Sequence, residues 1–530
     1  MSRQVDVCII GCGPIGLTGA LLLSRLGIKP LLVERRAERN THPRSRFVDT
    51  NTMELMRELG VEKAVEETGL GPEWTRYNRW FDALTRNEYA CIASPTFHTV
   101  PRSTSPCLPV MTCQDYVEGV LLEKVAADDN IDLRFHTEVV ALSQDAHATH
   151  LTLRKLDTNE DEDVTALYTI GADGPGSSTR AVIDSVLQAD PRPIHSQDVI
   201  FDADLSKYVD DRKASLLYTM PGPGAGVIFQ PLDGVRRWRC QVFVPSAELI
   251  PEDAVRQRIC TAIGTEDDIP ITIHSMRMWQ PTPGCTSRFS LGRIFLAGDA
   301  AHVAIPSGGM GNNSGFTGIR NLAWKLAFVL KGVSPPELLQ SYEEEHRPLA
   351  QDRIDTGIAI FEAMGPMMLK QLAGQDITED VHATRIYGNY DGVLLGFELR
   401  SGLVAEEPDA PIPVDDPIMD FVPAVRAGRR APHRWVDDTR EVSLLDRFGT
   451  SYVLVLGSEV RAANWQREIT HLQDSGFPIA STTLPPQPPD SPYRNDGVVL
   501  VRPDGIIANH WKDAGDIDPA SCLRRILPLA

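Results

Sequence analysis

Organised cysteine is missing from this chain. Its nine cysteines, Cys8, Cys12, Cys91, Cys107, Cys113, Cys240, Cys260, Cys285 and Cys522, include no CxxC pair and no zinc-like grouping with histidine. That pattern excludes a zinc centre or a disulfide framework as the organising device. It points to reduced thiols in a cytoplasmic protein without a metal site. Cys8 and Cys12 read as small buried hydrophobes rather than redox partners. Positive charge is also short: 52 Lys and Arg against 72 Asp and Glu leave a net charge of −20. Such a balance argues against nucleic acid or an anionic membrane as the main partner. Long apolar runs are lacking as well. Val7 to Leu23 carries no charge, but Gly11, Gly13, Pro14 and Gly16 interrupt it, and it has neither the length of a span nor a basic flank. No internal repeat is present. A chain of 530 residues, 42% of them hydrophobic, is too long for one core, so two or three domains are expected.

What is present starts in that same uncharged segment. Val5 to Ile10 has the near-continuous apolar character of a strand buried on both faces. Gly11-Cys12-Gly13-Pro14-Ile15-Gly16 follows as a GxGxxG turn, Leu17 to Leu26 as a helix, and Lys29 to Val33 as a second strand ending at Glu34 and Arg35. Gly11 permits the tight turn, Gly13 lets backbone approach a pyrophosphate, and Gly16 lets the helix pack near the strand. The helix N-terminus offers free N–H groups and the positive end of its dipole. Glu34, about 20 residues on, is placed to accept from a ribose hydroxyl, which favours an unphosphorylated adenosine ribose as in FAD or NAD.

Two further motifs bear on the cofactor. A strand at Ala166 to Ile170 leads into Gly171-Ala172-Asp173-Gly174-Pro175-Gly176, and another at Arg293 to Leu296 leads into Ala297-Gly298-Asp299-Ala300-Ala301-His302. Asp299 at a strand end can accept from ribityl hydroxyls or cap a helix. The Gly308 to Asn313 turn exposes N–H donors beside a helix start, suited to a flavin's pyrimidine edge. His302 reads as a packed or capping histidine rather than a catalytic one.

In this order and spacing, GxGxxG at Gly11 to Gly16, DG at Asp173-Gly174 and GD at Gly298-Asp299 resemble the class A FAD-dependent aromatic hydroxylases, the family of p-hydroxybenzoate, phenol and 2,4-dichlorophenol hydroxylases. The resemblance implies an α/β fold. A doubly wound FAD-binding domain (1–77 with 112–189 and 286–365) is interleaved with a mainly antiparallel β substrate domain (78–111 with 190–285). A helical region and linker (366–423) and a thioredoxin-like C-terminal domain (424–530) follow. It implies FAD contacts from Gly11, Gly13, Pro14, Ile15, Gly16, Glu34, Arg35, Arg44, Gln114, Asp173, Asp299, Gly309, Gly311, Asn312 and Asn313, with the Pro306 backbone near the reacting ring. His42-Pro43-Arg44 is similar to the cofactor-contacting segment after the second strand, and Gln114 to the glutamine at the ribityl chain. Tyr342 to Pro348 is similar to a packing-helix signature and reads as structural. Three positions depart from the pattern: Ile305-Pro306 replaces a proline pair, Gly318-Ile319 replaces the Asp-Ala that precedes the Asn-Leu pair (here Asn321-Leu322), and Arg46 stands where phenol hydroxylases carry a catalytic aspartate. Arg46 is therefore a candidate for holding an anionic substrate or the flavin.

The implied activity is an FAD-dependent monooxygenase that consumes NADPH or NADH as a transient reductant and O₂. It hydroxylates a small phenolic or polycyclic aromatic through a flavin C4a-hydroperoxide, and a homodimer is among the assemblies compatible with it. Baeyer–Villiger or epoxidising chemistry on a polyketide-like substrate, a flavin oxidase or dehydrogenase, and a non-catalytic nucleotide-binding scaffold are the alternatives.

Elsewhere, strands are expected at Val199 to Asp204, Ser215 to Met220, Gly226 to Phe229 and Trp238 to Val244. Tyr218, Phe229, Gln230, Trp238 and Arg239 are candidate pocket residues, of which alternation lets only about half face a pocket. Glu337 to Leu372 is helical in pattern with a break expected at Gly365-Pro366, and its Met364, Met367 and Met368 read as core. Asp409 to Pro423 reads as a linker, Pro485 to Pro492 as a surface loop, and Val498 to Asn509 as a hairpin turning at Asp504-Gly505.

Overall fold

The computed structural model describes residues 3–39, 42, 45–94, 104–192, 195–219, 226–244, 246–372, 375–383, 390–407, 412–514 and 517–529. At its centre five parallel strands run in the order Ile294–Leu296, Glu160–Gly171, Arg3–Ile10, Pro30–Val33, Asp132–Arg134. The apolar opening strand is explained by burial on both sides. Val7 and Ile9 face the helices Pro14–Arg25 and Met310–Leu330, whereas Cys8 and Ile10 face the antiparallel strands Thr137–Gln144 and Thr149–Lys155. Cys8 and Cys12 are buried, as small hydrophobes should be.

Register does the positioning. Ile10 pairs with Gly171 and Val33, and Gly171 with Leu296. The loops that begin at Gly11, Glu34, Ala172 and Ala297 therefore leave the sheet side by side, at the carboxyl edge where open α/β sheets bind ligands.

A second sheet of seven strands runs Thr272–Trp279, His195–Asp202, Arg237–Val244, Val227–Pro231, Leu216–Thr219, Tyr77–Phe81, Glu88–Ala93. It is antiparallel except where Leu216–Thr219 lies parallel to Tyr77–Phe81. One face packs Val199, Phe201, Leu217, Val227, Phe229, Trp238 and Val242 against helix Glu252–Ile263. The four expected strands are all found within a few residues of their expected limits. The first begins at His195, not Val199, which brings Asp198 into the sheet; Met220 lies outside the described residues.

The break expected at Gly365-Pro366 does not occur. Gln340–Leu372 is one helix carrying Pro348 and Pro366 inside it. Each proline forfeits a hydrogen bond and crowds the preceding turn. Burial of Tyr342, Leu349, Ala350, Ile354, Ile360 and Met367 along the helix outweighs that local preference. A domain boundary at 365 would thus fall within continuous helix.

The C-terminal sheet is ordered Ile479–Thr483, Tyr452–Leu456, Val498–Val501, Ile507–Trp511. The hairpin turning at Asp504-Gly505 is present, with Gly505 at φ +79°. That turn is buried against helices Met310–Leu330 and Gln340–Leu372. Glu345 Oε2 accepts from Lys325 Nζ at 2.8 Å and Arg502 Nη2 at 3.0 Å, and Asp504 Oδ2 accepts from Asn321 and Trp324 at 3.2 Å each. Tyr342 donates its hydroxyl to the Leu296 carbonyl at 2.7 Å, so the Tyr342 to Pro348 signature is a packing element, as expected.

Candidate active site

One cavity of about 980 Å³ spans the carboxyl edge of the parallel sheet and the second face of the seven-stranded sheet. Gly11, Cys12, Gly13, Pro14, Ile15, Glu34 and Arg35 line its first end. A Cβ on Gly13 would meet nothing within 4 Å, so this backbone stands open to a ligand. Gly16 lies behind the turn: a Cβ there would sit 1.9 Å from the Gly11 carbonyl oxygen, so only glycine lets helix and turn approach this closely. The helix Pro14–Arg25 begins at this turn, its unpaired N–H groups and positive dipole end suited to a pyrophosphate. Glu34 is buried. Oε2 accepts the Cys12 N–H and Oε1 the Arg36 N–H, each at 3.0 Å; Oε1 also lies 3.5 Å from Arg36 Nη1, and Oε2 retains a lone pair.

Asp173 and Asp299 line the middle. The Asp173 carboxylate accepts from Ser177 Oγ at 2.5 Å and from the Thr179 N–H at 3.0 Å, so much of its capacity holds the loop before helix Ser178–Val182. Gln114 opens helix Gln114–Ala126 and donates to Glu118 Oε1 at 2.7 Å; burial raises the Glu118 carboxyl to about 7. Pro306, Gly308, Gly309, Gly311 and Asn312 also face the cavity. Gly309 caps the 21-residue helix Met310–Leu330 at φ +63°, a conformation natural to glycine. A second helix N-terminus thus meets the cavity beyond the first.

Asn313 is a correction. It is fully buried and does not line the cavity: its Oδ1 accepts from the Asp49 N–H and Thr52 Oγ1, and its Nδ2 donates to the Phe47 and Gly309 carbonyls. With its amide fully used, it fastens the glycine turn to the Phe47 segment. Arg44 lies outside the described residues; His42 lines the cavity, its Nδ1 2.6 Å from Ser275 Oγ. Arg46 lines the cavity too, but its Nη1 donates to the Pro231 carbonyl at 2.8 Å and Nη2 to the Ser215 carbonyl at 2.9 Å. Burial lowers this guanidinium to about 10. Arg46 ties the loop before strand Phe47–Val48 to the seven-stranded sheet. His302 is buried away from the cavity, stacked on Phe289, and desolvation lowers it to about 4, as suits a packed histidine.

The far end is the open face of the seven-stranded sheet. Tyr218, Gln230 and Arg239 point into it; Phe229 and Trp238 point away, into the packing against helix Glu252–Ile263. Phe229 as a pocket residue is therefore corrected by strand parity: its neighbours Ile228 and Gln230 take that role. Trp80 stacks on Tyr218 with ring centroids 4.7 Å apart and planes at 4°. Met364 and Met367 of the long helix pack on this pair and line the cavity, so their assignment to core alone was too narrow. Trp80, Asp198, Phe243, Trp279 and Tyr390 were not anticipated. Alternation within strands could have suggested those in the sheet; Tyr390 carries no local signal.

The family model for the FAD binding domain matches residues 4–356, and that for the aromatic-ring hydroxylase C-terminal region matches residues 424–528. Aklavinone 12-hydroxylase RdmE of Streptomyces purpurascens is 31% identical, the match covering 99% of this chain and 98% of that protein. The 2,4-dichlorophenol 6-monooxygenase of Delftia acidovorans is 28% identical over 99% of this chain and 98% of its own. Among solved structures, the flavin-dependent monooxygenase PieE in complex with FAD and substrate superposes with a TM-score of 0.88 at 28% identity, covering 99% of each chain. With a match of this extent over both regions, the chain belongs to the FAD-dependent aromatic-ring hydroxylases, monooxygenases that use FAD and NAD(P)H to hydroxylate aromatic substrates.

Proposed function

We propose that the cavity holds FAD from the Gly11 to Ile15 turn across to the Gly308 to Asn312 turn, and that the enzyme hydroxylates a polycyclic phenol lying on the open face of the seven-stranded sheet. The observation that carries this is the single continuous cavity, with two helix N-termini along one part and a parallel Trp80–Tyr218 wall at the other. The residues present fit the cofactor. The open backbone at Gly13 suits a pyrophosphate, Glu34 retains acceptor capacity for a ribose hydroxyl, and Asp299 lines the stretch between the two turns. When bound, FAD supplies the electron transfer from NAD(P)H and the activation of O₂.

The chain supplies the rest. The N–H groups at the start of helix Met310–Leu330 would compensate negative charge on a bound flavin. Pro306 shapes the cavity wall that a bound flavin would face, and Arg46 fixes the spacing between its own loop and the seven-stranded sheet. Trp80, Tyr218, Ile228, Met364 and Met367 keep the substrate end dry and present flat surface to an aromatic plane. Trp279 and Phe243 extend that lining, which favours several fused rings over one. Among the relatives, aklavinone and a dichlorophenol are both named as substrates, and the extended aromatic lining favours the larger class here.

The interleaved domain division is retained as part of this proposal, with the second domain carrying the substrate face. A thioredoxin-like arrangement for 424–530 is supported by its strand order, second-first-third-fourth in chain sequence, with the first two parallel and the others alternating. Nine free cysteines support a reducing, cytoplasmic location.

The test is NAD(P)H consumption under ¹⁸O₂ with hydroxyanthraquinones, anthracyclinones and monocyclic phenols. Fused-ring phenols should give the highest kcat/KM and products carrying one ¹⁸O. Label-free products from every consumed substrate would overturn the oxygenase reading, and a preference for monocyclic phenols would overturn the substrate class.

A further inference from the structure

Within the substrate end, one ion pair is made in an unusual way. Arg239 and Asp198 lie on neighbouring strands of the seven-stranded sheet, both buried and both facing the cavity. Arg239 Nη2 donates to Asp198 Oδ2 at 2.6 Å, and Nη1 to Gln230 Oε1 at 3.3 Å. In a guanidinium the Nε–H and one Nη–H point the same way, so a carboxylate is usually held by two parallel bonds. Here one of the two is not made: Asp198 Oδ1 and Arg239 Nε are buried and neither has a hydrogen-bond partner. A buried acceptor and a buried donor left over in one pair are costly unless a ligand uses them. The group that satisfies both at once is one that donates to Oδ1 and accepts from Nε, as a single hydroxyl oxygen does. A carboxylate could only accept, and an ether or ketone likewise.

We propose that Asp198 is the proton acceptor for the hydroxyl of the aromatic substrate, with Arg239 Nε holding the same oxygen; this rests on the aromatic-hydroxylase reading above. In the activating step the phenolic O–H bond breaks, its electron pair stays on the phenolic oxygen, and the proton passes to Asp198 Oδ1. The oxygen's growing negative charge is met by Arg239. Ionisation of the phenol enriches the ring carbons in electrons, which is what hydroxylation requires. The charged or titratable groups around Asp198 are Arg239, Cys240 and Arg277 on the two flanking strands, with Arg46 and Tyr218 beyond Arg239. The assignment supplies a base where the Arg46 position cannot.

Two measurements on the FAD-loaded protein test it. In the first, binding of 2-hydroxyanthraquinone and 2-methoxyanthraquinone is compared by difference spectroscopy without NAD(P)H. Wild type should prefer the hydroxyl compound about tenfold, because the ether leaves Oδ1 unsatisfied. In Asp198→Asn, Arg239 Nη2 orients the amide oxygen toward itself and turns the NH₂ to the Oδ1 position, so the preference should vanish or reverse. Equal binding of both compounds by wild type overturns the proposal, even if the variant does not fold. In the second, turnover is followed against pH and phenol acidity. Asp198→Asn should lower kcat roughly 10²–10⁴-fold, with a rate that climbs with pH and a deficit that shrinks for more acidic phenols. Asp198→Glu should recover part of the rate. A deficit independent of phenol acidity marks a merely structural role and sinks the assignment. Failure of wild type to retain FAD or to oxidise NAD(P)H would instead strike the underlying function.

Discussion

His302 shows what a single side chain can reveal when its partners are counted. Neither ring nitrogen has a hydrogen-bond partner, and the ring lies between Phe289 and His346, with centroids 6.1 and 5.4 Å away. Desolvation, reinforced by Arg353, lowers it to about 4, and burial lowers His346 in the same direction. A histidine with a depressed folded-state pKa binds fewer protons folded than unfolded. Its contribution to stability is therefore complete above the unfolded value near 6.5 and is lost as pH falls toward 4. For His302 the loss is at most about 3 kcal/mol. His302→Leu should leave Tm at pH 7.5 near that of wild type and flatten its decline between pH 6.5 and 4. An unchanged acid limb would remove His302 as its source. The packed reading of this residue was legible in the sequence because the chemistry already had better candidates. The use of the Asn313 amide was not, because its four partners come from Asp49, Thr52, Phe47 and Gly309, and only the fold brings the first three near.

At the scale of elements, local patterns identified what each segment is better than which way it faces. The GxGxxG turn, the two later strand–turn motifs and the four β runs were all readable, because glycine placement and apolar runs are local physics. The parity of a strand is decided by the other sheet face and by helix Glu252–Ile263, so Phe229 and Gln230 could not be told apart beforehand. They now make opposite predictions. Phe229→Leu should cost stability, about 1 kcal/mol, and leave KM within twofold; Gln230→Leu should change KM for the aromatic substrate several-fold with little change in Tm. Interchanged effects would show that the strand faces the other way. Pro366 is the converse case, where a strong local signal was overruled. It is exposed in a helix that continues through it. Pro366→Ala restores a backbone donor and should raise stability by about 1–3 kcal/mol, read as a higher Tm. A lower Tm would mean that the ring's fixed geometry helps seat Met364 and Met367 against the substrate wall.

The whole molecule is held together by charge in an unexpected place. Glu345, Lys325 and Arg502 have fully buried side chains, and they join helices Met310–Leu330 and Gln340–Leu372 to the C-terminal hairpin. The sequence shows three adjacent glutamates at 343–345, and only helical geometry sorts them: Glu344 is exposed, whereas Glu345 shares the inner face with Tyr342 and Leu349. Burial alone would raise the Glu345 carboxyl, but Arg502 and Lys325 together outweigh it and hold it below its usual range. Because this pKa is depressed, the associated stability is present above about pH 4.5 and disappears as pH falls further. Glu345→Gln keeps the shape and removes the charge, leaving two buried cations with Asp504 as the remaining anion of the cluster. Breaking a buried pair in this way costs about 3–5 kcal/mol, much more than an exposed pair. Helix Met310–Leu330, whose start lines the cavity, carries Lys325, Asn321 and Trp324 of the same cluster. Loosening the hairpin should therefore loosen that helix, and flavin fluorescence should appear at the same temperature at which the C-terminal domain unfolds. A Glu345→Gln protein within 1 kcal/mol of wild type, or one whose flavin is released far from the domain transition, would mean that the two domains are energetically independent.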